Sequence, residues 1–330
     1  MKRFILLAIL PVLFLGACGE QEAGNEKGLT GAVRVDGSST VFPITEAVGE
    51  EFQNLHRGVR VTVGISGTGG GFKKFLAGET DINDASRPIK GKEVNKAAET
   101  GAEFVEIPVA FDGLSVLINP ANDWVDYMTI DELHKIWQPG STVKTWKDVR
   151  AAWPAEPITL YGPDVDSGTF DYFTEVVNGK SQVCRPDYTA SADDNVLVTG
   201  IAGDVSALGY FGYAYYEENK DKLKLVPIDG GAGPVLPSES TINNGSYEPL
   251  SRPLFIYVSK DAAARSEIQA FIQFYMENAA MLSAEVGYVA LPDEAYTLAL
   301  GKFTGLKTGA VFNTEKAKSG DHSISEILSW

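Results

Sequence analysis

VRVDGSSTVFPITEAVGEEFQNLHRGVRVTVGISGTGGGFKKFLAGETDINDASRPI, residues 33–89, decides the fold. Val33 and Val35 alternate as a short strand that ends at Asp36. Pro43 sits where a first helical turn tolerates it, and Ile44, Ala47, Val48, Phe52 and Leu55 then recur at helical spacing. Val59, Val61, Val63 and Ile65 alternate as a second strand. Gly67 to Gly71 reads as a turn, and Phe72, Phe75 and Leu76 predict one face of the next helix. Asp81 and Ile82 read as a third strand, ending at the Ser86-Arg87-Pro88 turn. Strand, helix, strand, helix, strand predicts a parallel α/β sheet.

Polar clusters punctuate this stretch. Ser38-Ser39-Thr40, Thr68-Gly69 within the glycine run, and Ser86-Arg87 each follow a predicted strand, and Asp166-Ser167-Gly168-Thr169 repeats the pattern further on. Backbone N–H groups and hydroxyls at helix starts suit a small anion. Each cluster also has a plainer reading: an N-cap with solvent-facing hydroxyls, a flexible glycine turn, a surface ion pair. The glycine run lacks the Gly-Lys-Ser/Thr of a phosphate-binding P-loop, and Ser167 lacks the G-x-S-x-G elbow of a serine nucleophile. Capture without chemistry is the expectation: no enzyme, no cofactor.

The chain has 44 acidic and 28 basic residues among 330, a net charge of −16. That balance excludes a nucleic-acid partner, which calls for a basic footprint. It would also repel an anion at long range, so local dipoles and hydrogen bonds must supply affinity. His56, His134 and His322 lie far apart, without metal-ligand spacing, and no metal site is assigned. Lys2 and Arg3, then an apolar run from Phe4 to Phe14, then Leu15-Gly16-Ala17-Cys18, have the layout of a secretory signal. The cysteine at its end resembles a bacterial lipobox, which implies cleavage before Cys18 and lipidation of its thiol. Residues 19–30 read as a solvated tether. Cys184 is then the remaining thiol, expected to be half-buried and inert.

Beyond Glu103, two apolar segments flanking Phe111-Asp112-Gly113 predict extended chain able to run from one lobe to another. Thr129-Ile130-Asp131-Glu132 is a capping box for a helix burying Leu133, Ile136 and Trp137. Ile158 to Tyr161 reads as a strand, and Asp166 can cap a helix that buries Phe170, Phe173, Val176 and Val177. A helix near Asn195 to Ala202 and a strand near Ala207 to Phe211 complete a second α/β unit. Gly230 to Gly245 reads as loop, Leu254 to Val258 as a strand, and Ala262 to Met281 as an amphipathic helix.

VDGSSTVFPITEA from Val35, GISGTGGGFKKF from Gly64, GETDINDASRPI from Gly78 and YGPDVDSGTFDYF from Tyr161 together resemble the PstS family, phosphate-binding proteins of bacterial ABC importers. The resemblance implies a type II periplasmic-binding-protein fold, two α/β lobes joined by a two-strand hinge with the ligand between them. It divides the chain into a signal peptide (1–18), a tether (19–30), lobe I (31–110 with 251–330) and lobe II (111–250). The hinge falls near 109–112 and 252–255. It implies a phosphate site of Ser38, Ser39, Thr40, Thr68, Gly69 and Arg87 facing Asp166, Ser167, Gly168 and Thr169. It further implies a lipid-anchored periplasmic or cell-surface monomer that delivers inorganic phosphate to an inner-membrane ABC permease. Other oxyanions such as sulfate or molybdate, or a role as a phosphate-starvation surface protein, stand as alternatives. Other branches of the family carry an acidic residue where Arg87 stands and an arginine just before Ser-Gly-Thr. Here Pro163-Asp164-Val165-Asp166 precedes that segment. Phosphate keeps a proton at neutral pH and sulfate has none, so a carboxylate that accepts this proton would separate them; Asp166 is favoured for it, with Asp84 in reserve.

Overall fold

The computed structural model describes residues 28–165, 167–317 and 322–330. The signal segment with Cys18, most of the tether, and Asp166 lie outside the described residues. The first half runs β1 (Thr30–Gly37), α1 (Phe42–Leu55), β2 (Gly58–Ile65), α2 (Gly67–Leu76), β3 (Ile82–Ala85) and α3 (Gly91–Thr100). β1 lies parallel between β2 and β3, in line with the alternation of valines. α1 buries Ile44, Val48 and Phe52 of the predicted stripe, whereas Ala47 is half-buried and Leu55, the last residue of the helix, is exposed.

The glycine run corrects the expectation of a turn, because Gly67 to Gly71 are the opening residues of α2. Packing explains why glycine is tolerated in a helix, where each one costs about 1 kcal/mol relative to alanine. A Cβ on Gly71 would stand 2.6 Å from the Gly37 Cα and 2.1 Å from the Asn83 Oδ1. Only bare backbone lets α2 sit this close to β1 and β3.

β4 (Phe104–Ile118) corrects a second expectation. Phe111-Asp112-Gly113 do not interrupt it, and all fifteen residues are buried in one continuous strand. Asp112 stays in the ladder because Arg252 stands opposite it. Gly113 serves packing, since a Cβ there would meet the Ile242 side chain at 2.7 Å.

The second half continues through β5 (Met128–Thr129), α4 (Ile130–Trp137), α5 (Trp146–Val149), β6 (Thr159–Pro163), α6 (Gly168–Asn178), β7 (Thr189–Ser191), α7 (Asp194–Gly203), β8 (Ala207–Gly212) and α8 (Tyr213–Glu217). Thr129 and Glu132 form the predicted capping box of α4. The N-cap of α6 is Ser167, whose hydroxyl accepts the Thr169 N–H; the Asp166 that the sequence suggests for a cap lies outside the described residues. Trp137, Phe173 and Tyr210 form the core here, with Phe173 stacked on Tyr210 at 3.6 Å between centroids. Three short strands, β9 (Lys224–Leu225), β10 (Ile228–Asp229) and β11 (Pro234–Val235), and α9 (Glu239–Asn243) lead back. The stretch expected as loop thus contains β11 and α9.

β12 (Ser251–Ser259) closes the circuit, antiparallel to both β3 and β4. The strand order is β2-β1-β3-β12-β4-β8-β6-β7, with β9 on β4. β4 therefore belongs to both halves. It pairs with β12 up to Gly113 and with β8 from Leu114 onward. Past β12, residues 262–264 form a 3-10 turn, so α10 (Ser266–Glu285) starts later than its pattern suggests; α11 (Asp293–Thr304) and α12 (Ile324–Ser329) follow. α10 packs on α1 through Phe271, edge-on to Phe52 at 5.3 Å. The backbone N–H groups of Val311 and Phe312 donate to the buried Glu106 carboxylate, which fastens the C-terminal segment to the first half.

Candidate anion-binding site

The chain between β1 and α1 holds three hydroxyls. The Ser38 N–H donates to the Asp84 carbonyl at 3.0 Å, and the Thr40 N–H donates to the Ser38 Oγ at 3.2 Å. Val41 is the N-cap of α1 and has no side-chain cap. The hydroxyls of Ser39 and Thr40 are therefore not used as caps. At the start of α2, the Thr68 and Ser86 hydroxyls lie 3.1 Å apart, and the Thr68 Oγ1 accepts the Ser86 N–H.

These hydroxyls share one cleft. Ser38, Ser39, Thr40, Gly67, Thr68, Ser86 and Arg87 line one wall, Asp171, Tyr172, Glu175 and Ser181 line the facing wall, and Arg252 comes from β12. Four of the residues expected from sequence stand differently. Gly69 does not line the cleft, although it lies close to the Arg87 guanidinium. Ser167, Gly168 and Thr169 also lie outside the lining. Yet Gly168 abuts Thr40 so closely that a Cβ on it would sit 2.9 Å from the Thr40 Oγ1 and 3.0 Å from its Cα. The start of α6 thus meets the start of α1 across the two halves.

The two arginines differ. Arg87 lines the cleft, but its guanidinium is bidentate to Glu93, at 2.9 and 2.8 Å, and also donates to the Pro88 carbonyl. Burial raises the Glu93 carboxyl, but the bonds from Arg87 and the Lys90 N–H outweigh it, and the group ends below the usual carboxylate range. Arg252 donates through Nε and Nη2 to the Asp112 Oδ2, at 3.2 and 3.1 Å, and through Nη2 to the Thr40 Oγ1 at 3.3 Å. Its guanidinium carbon lies 3.7 Å from the Tyr172 ring centroid. Burial pushes the Asp112 carboxyl up, opposed by the Arg252 charge and hydrogen bonds.

Asp84 lies behind the site, fully buried, and accepts the Thr45 hydroxyl at 3.0 Å. Burial raises its pKa well above the ordinary carboxylate value, and Asp36 adds to the effect against the Thr45 bond. It does not line the cleft. Asp171 does, and its Oδ1 is buried without a hydrogen-bond partner among the described residues. Cys184, far from this chemistry, is half-buried, and burial pushes its thiol up to about 11. Among the described residues no helix is long and apolar enough to cross a membrane.

A family model described as a PBP superfamily domain matches residues 22–279. Protein SphX of Synechococcus elongatus is 48% identical over 311 residues, 93% of this chain and 90% of its own. The phosphate-binding protein PstS of Staphylococcus saprophyticus is 43% identical over 303 residues, 90% of this chain and 93% of its own. The chain belongs to the PstS family within the PBP superfamily. Among solved structures, a possible phosphate binding protein from Planctomyces limnophilus matches with a TM-score of 0.81 at 50% identity, over 84% of this chain and 99% of that one. An ABC-type phosphate transport receptor from Vibrio cholerae, 22% identical with a TM-score of 0.64 over 79% of this chain and 100% of that one, shares the fold.

In this PstS-family chain a cleft cation, Arg252, comes from β12. Sequence reading placed Arg252 in the hinge only. A signal was available, since Asp112 and Arg252 are opposite charges inside two otherwise apolar stretches, and buried charges require partners. Ser86 stands in one of the polar clusters that the sequence singles out, whereas Asp171 and Ser181 carry no such signal.

Proposed function

We propose that this chain captures inorganic phosphate between its two halves and delivers it to a membrane ABC importer. The observation behind this reading is the shared cleft of Ser38, Ser39, Thr40, Thr68 and Ser86 hydroxyls with Arg252 among them. A tetrahedral oxyanion has acceptors in every direction, and hydroxyls with one planar cation match it. A micromolar site needs about 8 kcal/mol. Hydrogen bonds to a charged group contribute about 1.5–3 kcal/mol each, so a handful suffices after desolvation and ordering are subtracted. The relatives bear the names of a binding protein and a transport receptor, which agrees with capture and not turnover. The Ser167 hydroxyl is occupied as a helix cap, with no histidine bonded to it among the described residues.

The cleft, which is open to solvent, has a volume of about 480 Å³. At about 30 Å³ per water that is room for roughly sixteen waters, too loose a fit for one small anion. Further approach of the halves about β4 and β12 would dry it. We read the halves as lobe I, 31–110 with 251–330, and lobe II, 111–250. Ser167, Gly168 and Thr169 would then join from α6, and Gly69 and Arg87 from the first wall. Asp171 is placed to accept the proton that phosphate keeps and sulfate lacks. Asp166, next to Ser167 in sequence, is the second candidate. Extracytoplasmic location, anchoring through Cys18 and a monomeric state complete the proposal.

Titration calorimetry on protein freed of endogenous ligand by unfolding and refolding tests it. Phosphate should bind at micromolar concentration or below, with sulfate unable to displace it at equal concentration. Sulfate binding as tightly as phosphate, or no phosphate uptake, would overturn the assignment.

A further inference from the structure

Arg252 touches both halves and the strand that joins them. Its partner in the ladder is Asp112, and the next pair, Ser251 with Gly113, is the last before β4 turns to β8. It sits, in other words, within two residues of the point where β4 passes between the halves. Its Nη2 reaches Thr40 in the first half, and its guanidinium lies over Tyr172 in the second. Tyr172 is fixed in turn by its hydroxyl, which donates to the Pro249 carbonyl at 2.7 Å.

Neutralising Asp112 does not account for this arrangement. Both donors fall on the same carboxylate oxygen, Oδ2, and not side by side on two oxygens. The Nη1 edge has no hydrogen-bond partner among the described residues, and the side chain is only 15% exposed. A guanidinium edge that is unpaired and open to a cleft can bind an oxyanion, and strongly once water is excluded. Arg87 is less free for that part, with three of its bonds taken by Glu93 and Pro88.

We propose that Arg252 couples anion capture to closure, its Nη1 edge taking the ligand while its contacts with Thr40 and Tyr172 draw the two halves onto it. This rests on the reading that the cleft takes phosphate. A lysine at this position would keep the charge but could not lie flat on Tyr172 while also reaching Asp112, Thr40 and the ligand.

The test measures phosphate affinity by calorimetry and radius of gyration by X-ray scattering, with and without saturating phosphate. It compares the full chain with Arg252→Lys and with the double variant Arg252→Gln, Asp112→Asn, which strands no buried carboxylate and so protects against misfolding. We expect both variants to lose at least 30-fold in affinity and the phosphate-induced contraction. If the unsubstituted protein binds phosphate and contracts, while the double variant binds within three-fold and contracts equally, the role of Arg252 is overturned and the phosphate reading stands. Weakened binding with full contraction at saturation would also overturn coupling. No uptake of phosphate by the unsubstituted protein would sink both.

Discussion

Replacing Gly168 with alanine puts a methyl group between the two halves. The new Cβ would lie 2.9 Å from the Thr40 Oγ1 and 3.0 Å from the Thr40 Cα, against backbone as well as side chain. Real Cβ contacts do not settle at such distances, so the start of α6 must back away from Thr40 by some tenths of an ångström. Two responses are open. The core of either half could deform, or the halves could rotate apart about β4 and β12, the softer path. Gly168 opens α6 in an ordinary helical conformation, where alanine is favoured over glycine by up to about 1 kcal/mol. Stability without ligand should therefore hold steady or rise slightly. Closure should suffer an overpacking cost of about 1–3 kcal/mol, which weakens phosphate binding by roughly 5- to 150-fold. Calorimetric titration gives the affinity, and scanning calorimetry of the ligand-free protein gives Tm. Unchanged phosphate affinity would refute the idea that phosphate binding depends on the close approach of α6 to Thr40. So would a Tm lowered by several degrees, since the clash would then be absorbed by the fold.

Asp171→Asn should narrow the preference for phosphate over sulfate by ten-fold or more, because an amide no longer repels a fully deprotonated anion; competition titration at pH 8 reads this, and an unchanged ratio would move the role to Asp166. Arg87→Ala should weaken phosphate binding less than Arg252→Lys does, while lowering stability by about 1–2 kcal/mol through the loss of its bonds to Glu93. An Arg87 variant with the larger affinity loss would restore it as the principal cation. Asp84 has a folded pKa raised by burial, so its stabilising contribution is present below the unfolded value and is lost as pH rises through the folded one. Asp84→Asn should flatten the decline of Tm as pH rises from about 4, the unfolded carboxylate value, upward. Parallel declines in the two proteins would show that Asp84 does not hold its proton in the folded state across that range.

Much of the fold was legible because its elements carry strong local periodicity. The valines of β1 and β2 and the stripe of α1 need no tertiary information, and the Thr129–Glu132 cap marks its helix start in the sequence itself. The misreadings cluster where long-range packing overrides local preference. Glycines that read as a turn form α2 because Gly71 must press against Gly37 and Asn83. Asp112-Gly113 reads as a break, yet the strand continues because Arg252, 140 positions away, pairs with the carboxylate. In the site, the hydroxyl clusters were visible as helix starts, whereas Asp171 and Ser181 look like any polar residues near a helix.

The order of residues alone determined an α/β chain, the polar helix starts, and an acidic surface that leaves anion capture to local dipoles and hydroxyls. Only the tertiary structure decided which cation stands in the cleft, since that depends on where charges separated by long stretches of chain come to rest. Arg87 folds back onto nearby Glu93, while Arg252 is carried by the β4–β12 ladder to the junction of the two halves. The register of a distant strand pair, which no local pattern encodes, places that guanidinium between Thr40 and Tyr172.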